Sequence, residues 1–244
     1  LWLDLYLETL SSDGKTGRIR GGYLTAINTA VLISPYISGK LFDQAEKLSS
    51  GQTDYGIIYL LSVIAALPLL YQIFCRLGEQ PLPPLSLDWR TKLQDKNLRK
   101  ILALDFLLNL FYVFMVVYLP LHLAHEIGFS RGDIGLIFTV MLLPFVLIEY
   151  PLGWLADLKW GEKEILTVGL VITALATLPV AFLTTPSLLV WAILLFLTRV
   201  GASAVEAMKE TYLFKQVSAG DVSIISLSRF MVPAAYLVGS LIAV

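Results

Sequence analysis

The sequence predicts an all-α polytopic membrane protein folded as two helix bundles, and three observations carry that prediction. The first is composition: of 244 residues, 57% are hydrophobic and 15% charged, with a mean hydropathy of +0.74. Soluble domains run near 25% charged, and surface-to-volume scaling denies a soluble chain of this length a core large enough for the remainder. The second is segmentation, because apolar stretches of about 20 residues, enough to cross a hydrocarbon core as helix, recur along the chain. The third is the lack of period-2 alternation, which leaves helices as the way to satisfy backbone groups in lipid.

Full spans are expected near 22–42, 57–77, 99–121, 133–156, 165–184 and 187–209, with partial ones at 1–10 and 223–244. The stretches 57–75 and 165–184 contain no charged residue. Between them, 78–98 holds Pro81, Pro83 and Pro84 followed by a charged run, which reads as a solvated linker with a short helix. The linker divides the chain into an N-terminal bundle over 1–77 and a C-terminal bundle over 99–244. The chain starts at Leu1 inside one apolar stretch and stops at Val244 inside another, so it is expected to be an interior part of a longer polytopic protein.

Basic residues set the expected orientation. Connections 11–21, 76–100, 157–164 and 209–221 carry 13 of the 18 Lys and Arg, against three in 40–56, 122–132 and 185–186. The first set is therefore expected in the cytoplasm, with the chain in a bacterial-type plasma (inner) membrane. A net charge of −1 offers no basic footprint for nucleic acid. A single Cys75 excludes an internal disulfide framework and a Cys-rich metal site. No signal peptide is visible.

An internal repeat follows. Residues 3–9 (LDLYLET) align with 205–211 (VEAMKET) at a constant offset of 202, acid on acid twice and Thr on Thr. Each copy ends a span, passes a short polar loop and enters an apolar helix carrying Pro then Gly: Pro35 and Gly39, then Pro233 and Gly239. Copies of the same orientation imply parallel repeats about the membrane normal.

The most specific motif is Gly153-Trp154-Leu155-Ala156-Asp157-Leu158-Lys159-Trp160-Gly161-Glu162-Lys163, at the cytoplasmic end of a span. It resembles the cytoplasmic-loop signature of the major facilitator superfamily, Gly-x-x-x-Asp-(Arg/Lys)-x-Gly-(Arg/Lys)-(Arg/Lys). It departs by one extra residue between Asp157 and Gly161, by Leu158 in place of the first base, and by Glu162 in place of another. The resemblance implies a two-bundle fold incomplete at both ends, with 1–10 as the end of helix 4 and 223–244 as most of helix 11. It also implies a cytoplasmic gating role for Gly153, Asp157, Gly161 and Lys163. Small residues such as Gly153 let membrane helices approach closely, and a carboxylate such as Asp157 suits the orphan amides at a neighbouring helix N-terminus. The expected neighbour is the helix starting near Gly21–Tyr23; the alternative is that Asp157 merely ends its own helix.

Ionisable residues inside spans are costly and mark function by default. Asp105, Asn109 and Tyr112 fall on one helical face and are expected to line a polar cavity. Asp105 lies roughly 9 Å, and Glu149 roughly 12 Å, from the cytoplasmic helix ends. Burial makes an ionised carboxyl costly, so either acid suits proton coupling; the alternative is a structural hydrogen bond or ion pair. Arg199, near the midplane, cannot discharge and needs an acidic partner or an anionic substrate. Arg229 is shallower, with Glu149 or Glu206 as expected partners. Asp4, Glu8, Glu206 and Glu210 sit at helix ends beside Arg18, Arg20, Lys209 and Lys215, where ion pairs that break and reform would suit gating and solvated ends are equally expected. His122-x-x-His125-Glu126 lacks further ligands and reads as exposed loop histidines, so no metal is expected. Trp191, Tyr112 and Tyr118 either face lipid or stack on a substrate.

The leading expectation is a secondary transporter of a small solute, working by alternating access in the bilayer. Coupling to a proton or sodium gradient and facilitated diffusion as a uniporter both stay open. No Walker-type phosphate loop or other cofactor signature is present. A membrane-embedded enzyme would need a constellation such as His-Glu-x-x-His or Gly-x-Ser-x-Gly, which the sequence lacks, so no catalytic residue is expected. A non-transporting membrane scaffold is the remaining alternative.

Overall fold

Hydropathy alone places every long helix of the computed structural model, which describes residues 4, 7, 15–48, 56–75, 89–158, 161–218 and 220–242. Among these, all regular structure is helical: α1 (Thr16–Leu48), α2 (Gly56–Cys75), the single turn α3 (Trp89–Lys92), α4 (Lys96–His125), α5 (Arg131–Leu158), α6 (Glu162–Ala181), α7 (Leu188–Phe214) and α8 (Val222–Ile242). Asp4 and Leu7 are helical as well. Helices α4 to α8 are each long and apolar enough to cross a membrane. The helices outrun the expected spans where charge begins, at Thr16 in α1 and through Lys209–Phe214 in α7, because a helix does not stop at the hydrocarbon boundary when its last turns carry paired charges. The short helix expected in the linker is α3; residues 76–88 lie outside the described residues. Asp95 then caps α4 by accepting from the Asn97 amide at 2.7 Å.

By packing, the chain divides into two compact units, one comprising Leu1–Thr29 with Pro83–Val244 and the other Ala30–Leu82. In the larger unit α7 is the central element, packed along α5 and α6, while α8 packs along α4. One apolar cluster gathers Leu98, Ile101, Leu213, Phe214, Ile224 and Ile225 at the end that carries Asp157. Another gathers Met115, Leu123, Ile137, Met141, Trp191 and Leu195 at the opposite end. The outward faces are equally apolar: Leu136, Leu147, Phe182 and Leu241 are each at least 60% exposed. Such a surface is a liability in water and the natural boundary of a protein immersed in hydrocarbon.

Helix α4 is not uniform. Phe114–Tyr118 form a π turn, with the Leu119 amide donating to the Phe114 carbonyl five residues back. Pro120 follows at once; its ring has no N–H and crowds the carbonyl four residues earlier, and the widened turn accommodates it.

Candidate functional site

Two glycines four residues apart, Gly17 and Gly21, open α1 and set its backbone directly against α5. A Cβ at Gly17 would overlap the Gly153 carbonyl, one at Gly153 would overlap the Gly17 carbonyl, and one at Gly21 would come within 2.8 Å of the Glu149 carbonyl. Facing them, Glu149, Gly153 and Asp157 form a single stripe on α5 at four-residue spacing. The seam thus has a polar rung at each end. At one end Asp157 Oδ1 accepts from the Gly17 amide at 3.1 Å and Oδ2 from the Arg18 amide at 2.9 Å. Two orphan donors of the α1 N-terminus are thereby satisfied by a carboxylate that also complements the helix dipole. The contact lies at Gly17 and Arg18 rather than the expected Gly21–Tyr23, because α1 begins at Thr16, about a turn and a half before the expected apolar span at residue 22. At the other end the Asn28 amide donates to both Glu149 oxygens, at 3.1 and 3.0 Å.

Around Asp157 the charges interlock. Lys215, from the end of α7, lies 3.6 Å from Asp157 Oδ1 and pairs with Glu162. The bases absent from the loop motif are thus replaced by a base from α7. Gly161 is the N-cap of α6, without a side-chain cap bond, and Lys163 lies 5.4 Å from the centroid of the Tyr212 ring.

A second charge cluster occupies the same end of the helices. Arg229 donates to Asp4 at 2.6 and 3.0 Å and to Glu210 at 2.7 and 3.2 Å. Glu149 and Glu206, its expected partners, lie elsewhere: the long side chain reaches toward the helix end and meets the shallower acids there. Arg20 also binds Asp4, at 3.2 Å, and stacks its guanidinium 3.2 Å above the centroid of the Phe214 ring. Asp105 pairs with Lys209 and accepts from Asn109 and Ser228, both at 2.9 Å. Asp105 and Asn109 thus meet a cation and a hydroxyl rather than an open cavity. Glu8 lies outside the described residues.

Deeper along α7 the pattern changes. Glu206 accepts from the Tyr112 hydroxyl at 2.6 Å instead of joining the end cluster. Arg199 is 1% exposed, and none of its three guanidinium nitrogens has a hydrogen-bond partner among the described residues. It rests against the neighbouring Phe111 and Tyr112 rings, whose centroids lie 5.3 and 5.2 Å away. Trp191 is wholly buried, its indole donating to the Thr185 carbonyl at 3.0 Å, so it faces neither lipid nor a cavity. The Tyr118 ring lies against that of Phe114, tilted by 39° with centroids 5.8 Å apart. The histidines sit in the last turn of α4 rather than in a loop, with His122 edge-on to Trp191. No group of metal-ligating side chains is present among the described residues.

The family profile described as Major Facilitator Superfamily matches residues 101–244, which covers α5 to α8 and nearly all of α4. The chain belongs to the major facilitator superfamily. No curated protein matches it. Superfamily members are membrane transporters of small-molecule solutes, and five described helices able to cross a bilayer make this chain an integral membrane transporter of that class. Within this superfamily chain, Asn28, Ser228, Gly17 and the pairing of Lys209 with Asp105 were not singled out from sequence. Gly17-x-x-x-Gly21 was the available signal, since small residues at that spacing mark close helix contacts in membranes.

Proposed function

We propose that the protein is a secondary active transporter of a small solute that works by alternating access and is coupled to a proton or sodium gradient. Its N-terminal bundle is 1–77, its linker 78–98 and its C-terminal bundle 99–244. The loops 11–21, 76–100, 157–164 and 209–221 face the cytoplasm of a bacterial-type plasma membrane. The observation that carries this reading is the Asp157 carboxylate on the Gly17 and Arg18 amides beside the Gly17–Gly153 backbone contact. A helix terminus held by a carboxylate from another helix is a contact that forms and breaks as a unit. It acts as the cytoplasmic latch of the outward-facing state, with Gly161, Lys163 and Lys215 completing the motif region. Asp4, Arg20, Glu210 and Arg229 form a second cytoplasmic charge lock, and Arg18 belongs to the same end.

Coupling is assigned to Glu149. It is fully buried, and Asn28 gives it neutral hydrogen bonds with no described cation in ion-pair range. Asp105 is paired with Lys209 and is less free to exchange a proton. Solute counterflow by the full chain in proteoliposomes, with and without a proton gradient, tests the assignment. Glu149→Gln is expected to leave exchange intact while removing its gradient dependence. Exchange indifferent to gradients in the wild type would instead make the protein a uniporter.

A further inference from the structure

Arg199 is a permanent charge in a span, and the buried acids described on α4, α5 and α7 are each engaged with another group. Asp105 holds Lys209, Glu210 holds Arg229, and Glu149 takes the Asn28 amide. Glu206 lies seven residues along α7 on the same face, near enough to feel the guanidinium, but its carboxylate is bound by the Tyr112 hydroxyl. A buried guanidinium with no hydrogen bonds is costly, and it cannot escape by losing its proton. Its planar fork of donors matches the paired oxygens of a carboxylate or phosphate.

We infer that Arg199 is the anion-binding residue of the transported solute, receiving its oxyanion group on the guanidinium donors that the Phe111 and Tyr112 rings leave without an acceptor. This rests on the transporter reading and adds the chemical class of the cargo. The Tyr112 hydroxyl is a positioning group: by holding Glu206 it keeps an internal carboxylate off the guanidinium and leaves that face for the solute. Phe111 and Tyr112 on α4 and Arg199 on α7 contribute from two helices, so an anion seated there ties α4 to α7.

The test uses the full chain in detergent, with thermal stabilisation as a binding readout. The probes are inorganic phosphate, benzoate and succinate, against benzamide and succinamide as neutral counterparts. The anions, and not the amides, are expected to stabilise the wild type. Arg199→Gln is expected to weaken that binding by roughly 30-fold or more, with Arg199→Lys in between. Glu206→Gln keeps the guanidinium and removes the competing carboxylate, so it is expected to tighten anion binding. Stabilisation by the amides equal to that by the anions, no stabilisation by any anion, or weaker anion binding in Glu206→Gln overturns the inference. Counterflow in proteoliposomes judges the transporter reading separately: neutral-solute exchange that survives Arg199→Gln keeps transport and removes the anion.

Discussion

Lys209 and Arg199 stand ten residues apart on α7, both cationic and both buried, yet their surroundings differ in kind. Lys209 lies in a network that runs from Asp105 through Ser228 and Glu210 to Arg229 and Asp4, each charge answered by another. Arg199 has two aromatic rings beside it and no acceptor among the described residues. The contrast teaches that the helix spends its internal pairings near the end, where elements meet, and leaves the middle unsatisfied. Charges of the first kind hold helices together; a charge of the second kind waits for something that arrives.

The comparison breaks most directly at Asp105. Asp105→Asn strands Lys209 in the interior with Glu210 3.9 Å away, and the expected loss of stability is about 3–5 kcal/mol by denaturant or thermal unfolding. The double variant Asp105→Asn with Lys209→Met should recover much of it, because the uncompensated charge goes too. A smaller effect is expected at the seam. Gly153→Leu pushes against the Gly17 backbone and should cost about 1–3 kcal/mol. Its signature is faster reaction of a cysteine at Arg18, in a Cys75→Ser background, with a water-soluble thiol reagent. Smallest is Asp157→Ala, which removes a cap worth about 1 kcal/mol and should speed the same reaction about fivefold. Asp157→Asn keeps one acceptor and should fall between that variant and the wild type.

The sequence made the helices plain because lipid imposes a length and an apolar composition that few other constraints disturb. Their ends were less plain: Lys209 to Phe214 continue α7 past the first charge because those charges find partners. Asp157 was legible from the loop motif, and so was its affinity for a helix N-terminus. Its contact residues were displaced by several positions, since the start of α1 depends on where a capping group waits for it. The partners of Arg229 were not legible, because Asp4 is 225 residues away and only the folded arrangement brings them together. Nor was the isolation of Arg199, since hydropathy and spacing do not report how neighbouring acids are already engaged.

The Gly17–Gly153 contact has a consequence of its own. Two backbones touch there with no side chain between them, so neither partner has a flexible arm with which to follow the other. A lysine–carboxylate pair can stretch, reorient and persist across several ångströms of separation. A carbonyl resting against an α-carbon cannot, and the two amide bonds to Asp157 lengthen in the same movement. The junction therefore has almost no intermediate range: it is seated or it is parted. Short-ranged adhesion of this sort makes for abrupt rather than gradual separation, with the barrier set by the first ångström of travel.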